Sequence, residues 1–173
     1  AFDLCVSTLR VSLLHGSVGL LPALISIGTS TSLDLASRLA KHNCLEIINS
    51  NLYNLNDEEP TLGFLHGSSG IIAVFSRIFL TFQDDIYLDL ARSALDHERK
   101  HYNTILEIPP VIHHSFFDTT TFISKNQVFS LDLSSGLSGI LLSRLCLFST
   151  PLWDDQCLAE VLYFLEFLLD HRH

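Results

Sequence analysis

In the stretch GFLHGSSGIIAVFSRI, residues 63 to 78, a histidine stands between two glycines, a third glycine follows, and an apolar run comes after it. Histidine is the side chain whose ordinary pKa lies nearest neutrality, so His66 can move a proton, share a hydrogen bond or bind a metal. The glycines point to a helix that starts just behind it. Glycine admits backbone conformations that other residues resist and lets a neighbouring chain come close. The first turn of such a helix offers unpaired N–H groups and the positive end of its dipole. Several starts aimed at one centre would build a pocket suited to negative charge. A single GxxG more often marks close helix packing, and a lone histidine is more often structural than catalytic.

The module repeats, which strengthens the architectural reading more than the chemical one. LLHGSVGLLPAL begins at Leu13, FLHGSSGIIAVF at Phe64 and DLSSGLSGILLSRL at Asp132. They place Gly16/Gly19, Gly67/Gly70 and Gly136/Gly139 before apolar, helix-like runs, and His15 shares the setting of His66. Between these runs lie amphipathic segments. In LDLASRLAKHN a capping pattern of Thr31 with Asp34 predicts a helix ending near Asn43, with Leu33, Leu35, Ala36, Leu39 and Ala40 inward and Asp34, Arg38 and Lys41 wet. Asp84 and Asp85 open a second amphipathic helix, with Ile86, Leu90, Ala94 and Leu95 as its stripe and Asp89, Arg92, Asp96, Glu98 and Arg99 facing water. Asp154 and Asp155 open a third.

A helix that is apolar all round must be enclosed, whereas a one-sided helix can cover it. Alternation of the two types predicts an all-α fold, a double-layered α/α toroid or a helical solenoid. Residues 1–173 read as one domain or a fragment of one, with helix-pair repeats starting near Gly16, Gly67 and Gly136. The segments 49–63 and 107–127 read as loops between pairs, the second with a short hairpin around Phe116 to Ile123.

Composition narrows the function classes. The chain has 173 residues, 47% of them hydrophobic, enough for a real core. A formal charge of −9 and the lack of any Lys/Arg-rich run argue against nucleic acid. Cys5, Cys44, Cys146 and Cys157 are scattered in apolar surroundings, which fits neither a zinc pair nor a disulfide framework. A reducing cytoplasm is expected, and Cys146 and Cys157 read as helix-core residues. The uncharged stretch from Val11 to Leu33 is long enough for a membrane span, but His15, Pro22 and its glycines favour a buried helix followed by a loop. No basic n-region suggests a signal peptide. The absence of methionine suggests an excised or processed part of a longer protein.

With these residues on the page, Gly63, His66, Gly67 and Gly70 resemble the G-x-x-H-G-x-x-G signature of lanthionine synthetase C-like cyclases. The other two modules look like further inner-helix starts of the same toroid. The order that follows His66, a helix, QDDIYLDLARSAL, a long loop and LSSGLSGILL, is most similar to the cyclase domains of class III (kinase-lyase-cyclase) lanthipeptide synthetases. The resemblance implies an α/α toroid, of which this chain would form about half of the full seven-pair ring. It implies addition of a peptide cysteine thiol to dehydroalanine or dehydrobutyrine, closing a thioether ring, with His66 moving protons. The implied partners are a ribosomally made precursor peptide and the kinase-like and lyase domains of the same synthetase, with a homodimer as an open alternative.

The chain departs from the family at one informative place. Zinc-dependent members carry a Trp-Cys pair before the third module's glycine, and its cysteine is a ligand. Here Leu133 and Ser134 occupy those places, Ser135 follows, and a hydroxyl is a poor zinc ligand. No metal and no other cofactor is therefore expected. The pocket residues implied are Gly63, Gly67, Gly70, His15, Gly16, Ser134, Ser135 and Gly136. Two other readings stay in view: a non-catalytic peptide-binding or scaffolding domain, and another α/α-toroid enzyme, such as one acting on carbohydrate. The latter needs paired acids, whereas the run Asp57 to Glu59 reads as a solvated loop and Asp84/Asp85 as a helix cap.

Overall fold

The computed structural model describes residues 16–49, 63–65, 67–106, 111–112, 121–124, 127–130, 133 and 136–170. Six helices are found among them, arranged as three hairpins. A 3-10 turn, Ser17–Gly19, leads into α1 (Leu20–Ile27), which folds back along α2 (Ser30–Asn49). The second hairpin is α3 (Ser68–Phe82) with α4 (Asp85–Leu106), and the third is α5 (Leu137–Leu147) with α6 (Asp155–Asp170). The first helix of each hairpin also packs on its counterpart in the next, α1 on α3 and α3 on α5. This gives an inner layer of α1, α3 and α5 backed by an outer layer of α2, α4 and α6, the plan of an α/α toroid segment.

Sequence and burial agree on the two layers. In α3 every residue from Ser68 to Ser76 is buried, as an enclosed helix requires. In α4, Leu90, Ala91, Ala94 and Leu95 are buried while Asp89, Arg92 and Asp96 are exposed. The core gathers Leu21, Leu39, Ile47, Ile72, Phe75 and Ile78 between the layers. Each such side chain, taken fully from water, contributes on the order of 1.5–3 kcal/mol.

The helix ends follow from local chemistry. Gly28, with φ +71°, closes α1 in the left-handed region. Gln83 closes α3 in the same region at φ 56°, and its side-chain Nε2 donates to the carbonyls of Phe79 and Leu80 at 3.3 and 3.1 Å. The Asp84 carboxylate accepts from the Ile86 N–H at 3.2 Å, and Asp154 accepts from the Cys157 N–H at 2.7 Å. Both expected caps are therefore formed.

Two expectations are corrected. Helix α2 is capped by Thr29, whose Oγ1 accepts from the Ser32 N–H at 3.2 Å, and not by Thr31. It also runs past Asn43 to Asn49, because Cys44 and Ile47 continue its buried stripe. In the long connection, strands β1 (Val111–Ile112), β2 (Thr121–Ser124) and β3 (Gln127–Ser130) form an antiparallel sheet in that order. The β1–β2 pairing, Val111 with Ile123 and Ile112 with Phe122, reaches into the Phe116 to Ile123 stretch where a hairpin is expected, and a second hairpin, Thr121 with Ser130 to Ser124 with Gln127, follows it. Among the described residues no helix is long and apolar enough to cross a membrane.

Candidate functional site at the inner helix starts

The three modules adopt one backbone design. Gly16, Gly67 and Gly136 are the residues immediately before the inner helical segments, with φ/ψ of −137/−175°, −125/−166° and −114/−171°. This is extended backbone that any residue can adopt, so the first glycine of each module is not there for its conformational freedom. Two other glycines have definite reasons. Gly63 sits at φ +112°, a region costly for side-chain-bearing residues, and its carbonyl accepts from the Gly67 N–H at 3.2 Å. That hydrogen bond ties Gly67 back to Gly63 just before α3. Gly139 is required by close approach: a Cβ there would lie 2.4 Å from the Leu133 carbonyl oxygen and 2.9 Å from Phe64. The second and third modules are thereby locked together backbone to backbone.

Gly70 lies buried in the first turn of α3, and Gly136 is buried before α5. His66, His15, Ser134 and Ser135 lie outside the described residues.

Behind the helix starts lies a polar network that the sequence reading missed. Ser68 and Ser69, the first residues of α3, both donate to Glu98 Oε1, at 2.6 and 2.5 Å. The other oxygen of Glu98 accepts from Arg144 Nη1 at 2.7 Å, and Arg144 Nε donates to Glu160 Oε2 at 2.5 Å. Arg99 continues the chain, with Nε on Glu160 Oε1 at 3.0 Å and a two-pronged contact to Asp154 at 2.8 and 2.9 Å. Three carboxylates and two guanidiniums thus join α3, α4, α5 and α6. Glu98 and Arg144 are wholly buried, and Arg99 is only 13% exposed. The expectation that Glu98 and Arg99 face water is therefore wrong: α6 and α5 cover that side of α4. A signal was available in Arg144, since a charged side chain inside an apolar inner helix needs a buried acid partner.

Charge distribution follows from this. The carboxylate of Glu98 sits at the first turn of α3, where the helix dipole favours an anion. Hydrogen bonding from Arg99 holds the Asp154 carboxyl well below the usual carboxylate range, against the opposing effect of burial. The first module has a simpler counterpart: Ser17 Oγ donates to Asn43 Oδ1 of α2 at 2.5 Å, with both residues buried. In each case a serine just behind the glycine ties an inner helix to the outer layer.

The chain belongs to the lanthionine synthetase C-like family. The model of that family, described as lanthionine synthetase C-like protein, matches residues 6–166, nearly the whole chain. No curated protein and no solved structure matches it. In this lanthionine synthetase C-like chain, the family assignment covers all three modules, and hence the positions of His15, His66, Ser134 and Ser135 as well as the glycines.

Among the described residues, the cysteines offer no prepared thiolate. Burial, then the nearby charge of Asp84, pushes the Cys44 thiol up to about 11. Burial also raises Cys157 and Cys146. Cys157 is a core residue as expected, but Cys146 is only partly buried and lines a cavity on the inner layer. Among the described residues no three His, Cys, Asp or Glu side chains converge as metal ligands.

Proposed function

We propose that the chain is the cyclase domain, or part of it, of a class III lanthipeptide synthetase, closing thioether rings in a dehydrated ribosomal precursor peptide without zinc. The observation that carries this reading is the G-x-x-H-G-x-x-G motif of Gly63, His66, Gly67 and Gly70 at the start of an inner helix, in a chain matched over residues 6–166 by the family model. Its partners are the precursor peptide and the kinase-like and lyase domains that dehydrate it, and its compartment is the cytoplasm.

The chemistry assigns His66 two proton transfers. As base it takes the proton from the peptide cysteine, which frees the thiolate. The sulfur then bonds to Cβ of the dehydroamino acid, the Cα=Cβ π pair moves onto the carbonyl as an enolate, and the imidazolium returns its proton to Cα. The histidine ends as it began. The inner helix starts at Gly16, Gly67 and Gly136 would form the floor that faces the developing enolate. Replacing His66 by Ala or Asn and counting free thiols in dehydrated peptide tests this; undiminished loss of thiol removes His66 from the mechanism.

A second reading is favoured by one observation, the loss of the cysteine ligand at Ser134. The domain would then hold peptide or support its neighbours while rings close uncatalysed. Ring stereochemistry separates the two: the same single product with and without the domain speaks for a scaffold, and a product whose configuration depends on the domain speaks for the cyclase.

A further inference from the structure

The inner layer carries a cavity of about 420 Å³ on the side away from the outer helices. It is lined by residues of α1, α3 and α5 and the turns beside them, and by none of α2, α4 or α6. At its upper end stand Phe64, Pro22 and Ala73, close to the helix starts; at its lower end stand Leu80, Phe148 and Ser149. Arg77 lies between them, two turns along α3 from Gly70 and thus about 10 Å below the helix start. Of the residues that line the cavity, Arg77 alone is charged. It is exposed, and among the described residues no carboxylate forms an ion pair with it. Arg92, Arg99 and Arg144 each have an acid: Asp89 for Arg92, Asp154 and Glu160 for Arg99, Glu98 and Glu160 for Arg144.

We propose that this cavity is a specificity groove for the peptide substrate, in which Arg77 receives an acidic side chain flanked on both sides by apolar residues. The inference rests on the cyclase reading for the peptide nature of the ligand; the acid and its flanks come from the groove itself. Charge complementarity selects the acid. The chain as a whole carries −9, so its general field repels anions, and a single unpaired guanidinium in an apolar groove is a local exception that a carboxylate satisfies. Position selects a side chain over a chain end. Apolar surface continues above and below Arg77, so the group that meets it has peptide running in both directions. Leu145, 48% exposed, and Phe148, 69% exposed, supply apolar surface that such a peptide would cover.

The test is fluorescence anisotropy at low ionic strength with labelled, end-blocked peptides of leucine and alanine carrying a central glutamate, glutamine or lysine. A fourth peptide has a glutamine centre and a free C-terminal carboxylate. None contains cysteine or a dehydroamino acid, so the outcome is independent of thiol consumption: retained preference with no cyclisation leaves the groove standing and removes the cyclase. The chain should bind the glutamate peptide about tenfold tighter than the glutamine peptide. Arg77→Gln should erase that difference, Arg77→Glu should turn it in favour of lysine, and Leu145→Glu should weaken the glutamate peptide by placing a competing carboxylate at the groove. Arg77 is exposed and outside the core, so these variants should keep the native far-UV dichroism. Equal binding of the glutamate and glutamine peptides, a preference that survives Arg77→Gln, or a stronger response to the free C-terminus than to the internal glutamate overturns the proposal.

Discussion

The Arg144 guanidinium lies 2.7 Å from the Glu98 carboxylate, and both side chains are fully buried. Removing one partner leaves charge in a dry interior, which costs more than the pair itself contributes. Arg144→Met should therefore lower unfolding free energy by about 3–5 kcal/mol, since it strands Glu98 and leaves Glu160 with Arg99 alone. Glu98→Gln keeps an acceptor for Ser68 and Ser69 and should cost less, about 1–3 kcal/mol. Urea denaturation of the two variants gives the order; a milder Arg144→Met would mean that water reaches the network.

Gly139 and Gly28 are both demanding positions, for different reasons. A Cβ at Gly139 meets backbone at 2.4 Å, whereas at Gly28 its nearest neighbour is 4.0 Å away and only the φ of +71° resists it. Gly139→Ala should cost about 1–3 kcal/mol or more through forced separation of the second and third modules. Gly28→Ala should cost about 1 kcal/mol, and Gly28→Asn less, because asparagine tolerates the left-handed region. Thermal midpoints of the three variants check the ranking.

Acid should weaken the α4–α6 contact through Asp154. Its folded-state pKa is depressed by the Arg99 hydrogen bonds, so the stability it contributes is present above the ordinary aspartate value of about 3.9 and is lost as pH falls toward the folded value. Asp154→Asn should flatten the acid limb of a stability–pH curve below about pH 4. An unchanged limb would place the acid sensitivity elsewhere.

Alkali should act through Cys44. Its folded pKa of about 11 exceeds the ordinary thiol value, so between about 8.5 and 11 the unfolded chain releases a proton that the folded chain keeps. Stability then falls with rising pH across that window. Cys44→Ala should lose stability at neutral pH, as a small cavity forms, and lose less than the parent on going from neutral pH to pH about 11. Denaturation midpoints at the two pH values test the difference.

The sequence by itself determined the elements and their layering. Apolar runs after each GxxG had to be enclosed, and the one-sided patterns of α2 and α4 had to cover them; burial of Phe75 and Ile78 against exposure of Asp34 and Asp89 follows from that periodicity. The caps at Asp84 and Asp154 were equally legible, because capping is chemistry between near neighbours. Only the tertiary structure decided the rest. Glu98 and Arg99 occupy positions that a single amphipathic helix would leave wet, and only the arrival of Arg144 and Glu160 from segments far along the chain makes them interior. The two reasons for glycine, left-handed backbone at Gly63 and contact with Phe64 at Gly139, are likewise invisible in a spacing rule. Arg77 reads in sequence as an ordinary polar break in an apolar helix; it becomes a candidate determinant only because α1, α3 and α5 converge to make the groove around it. Periodicity reports which side of a helix is apolar, whereas which charges meet across helices depends on packing between distant segments.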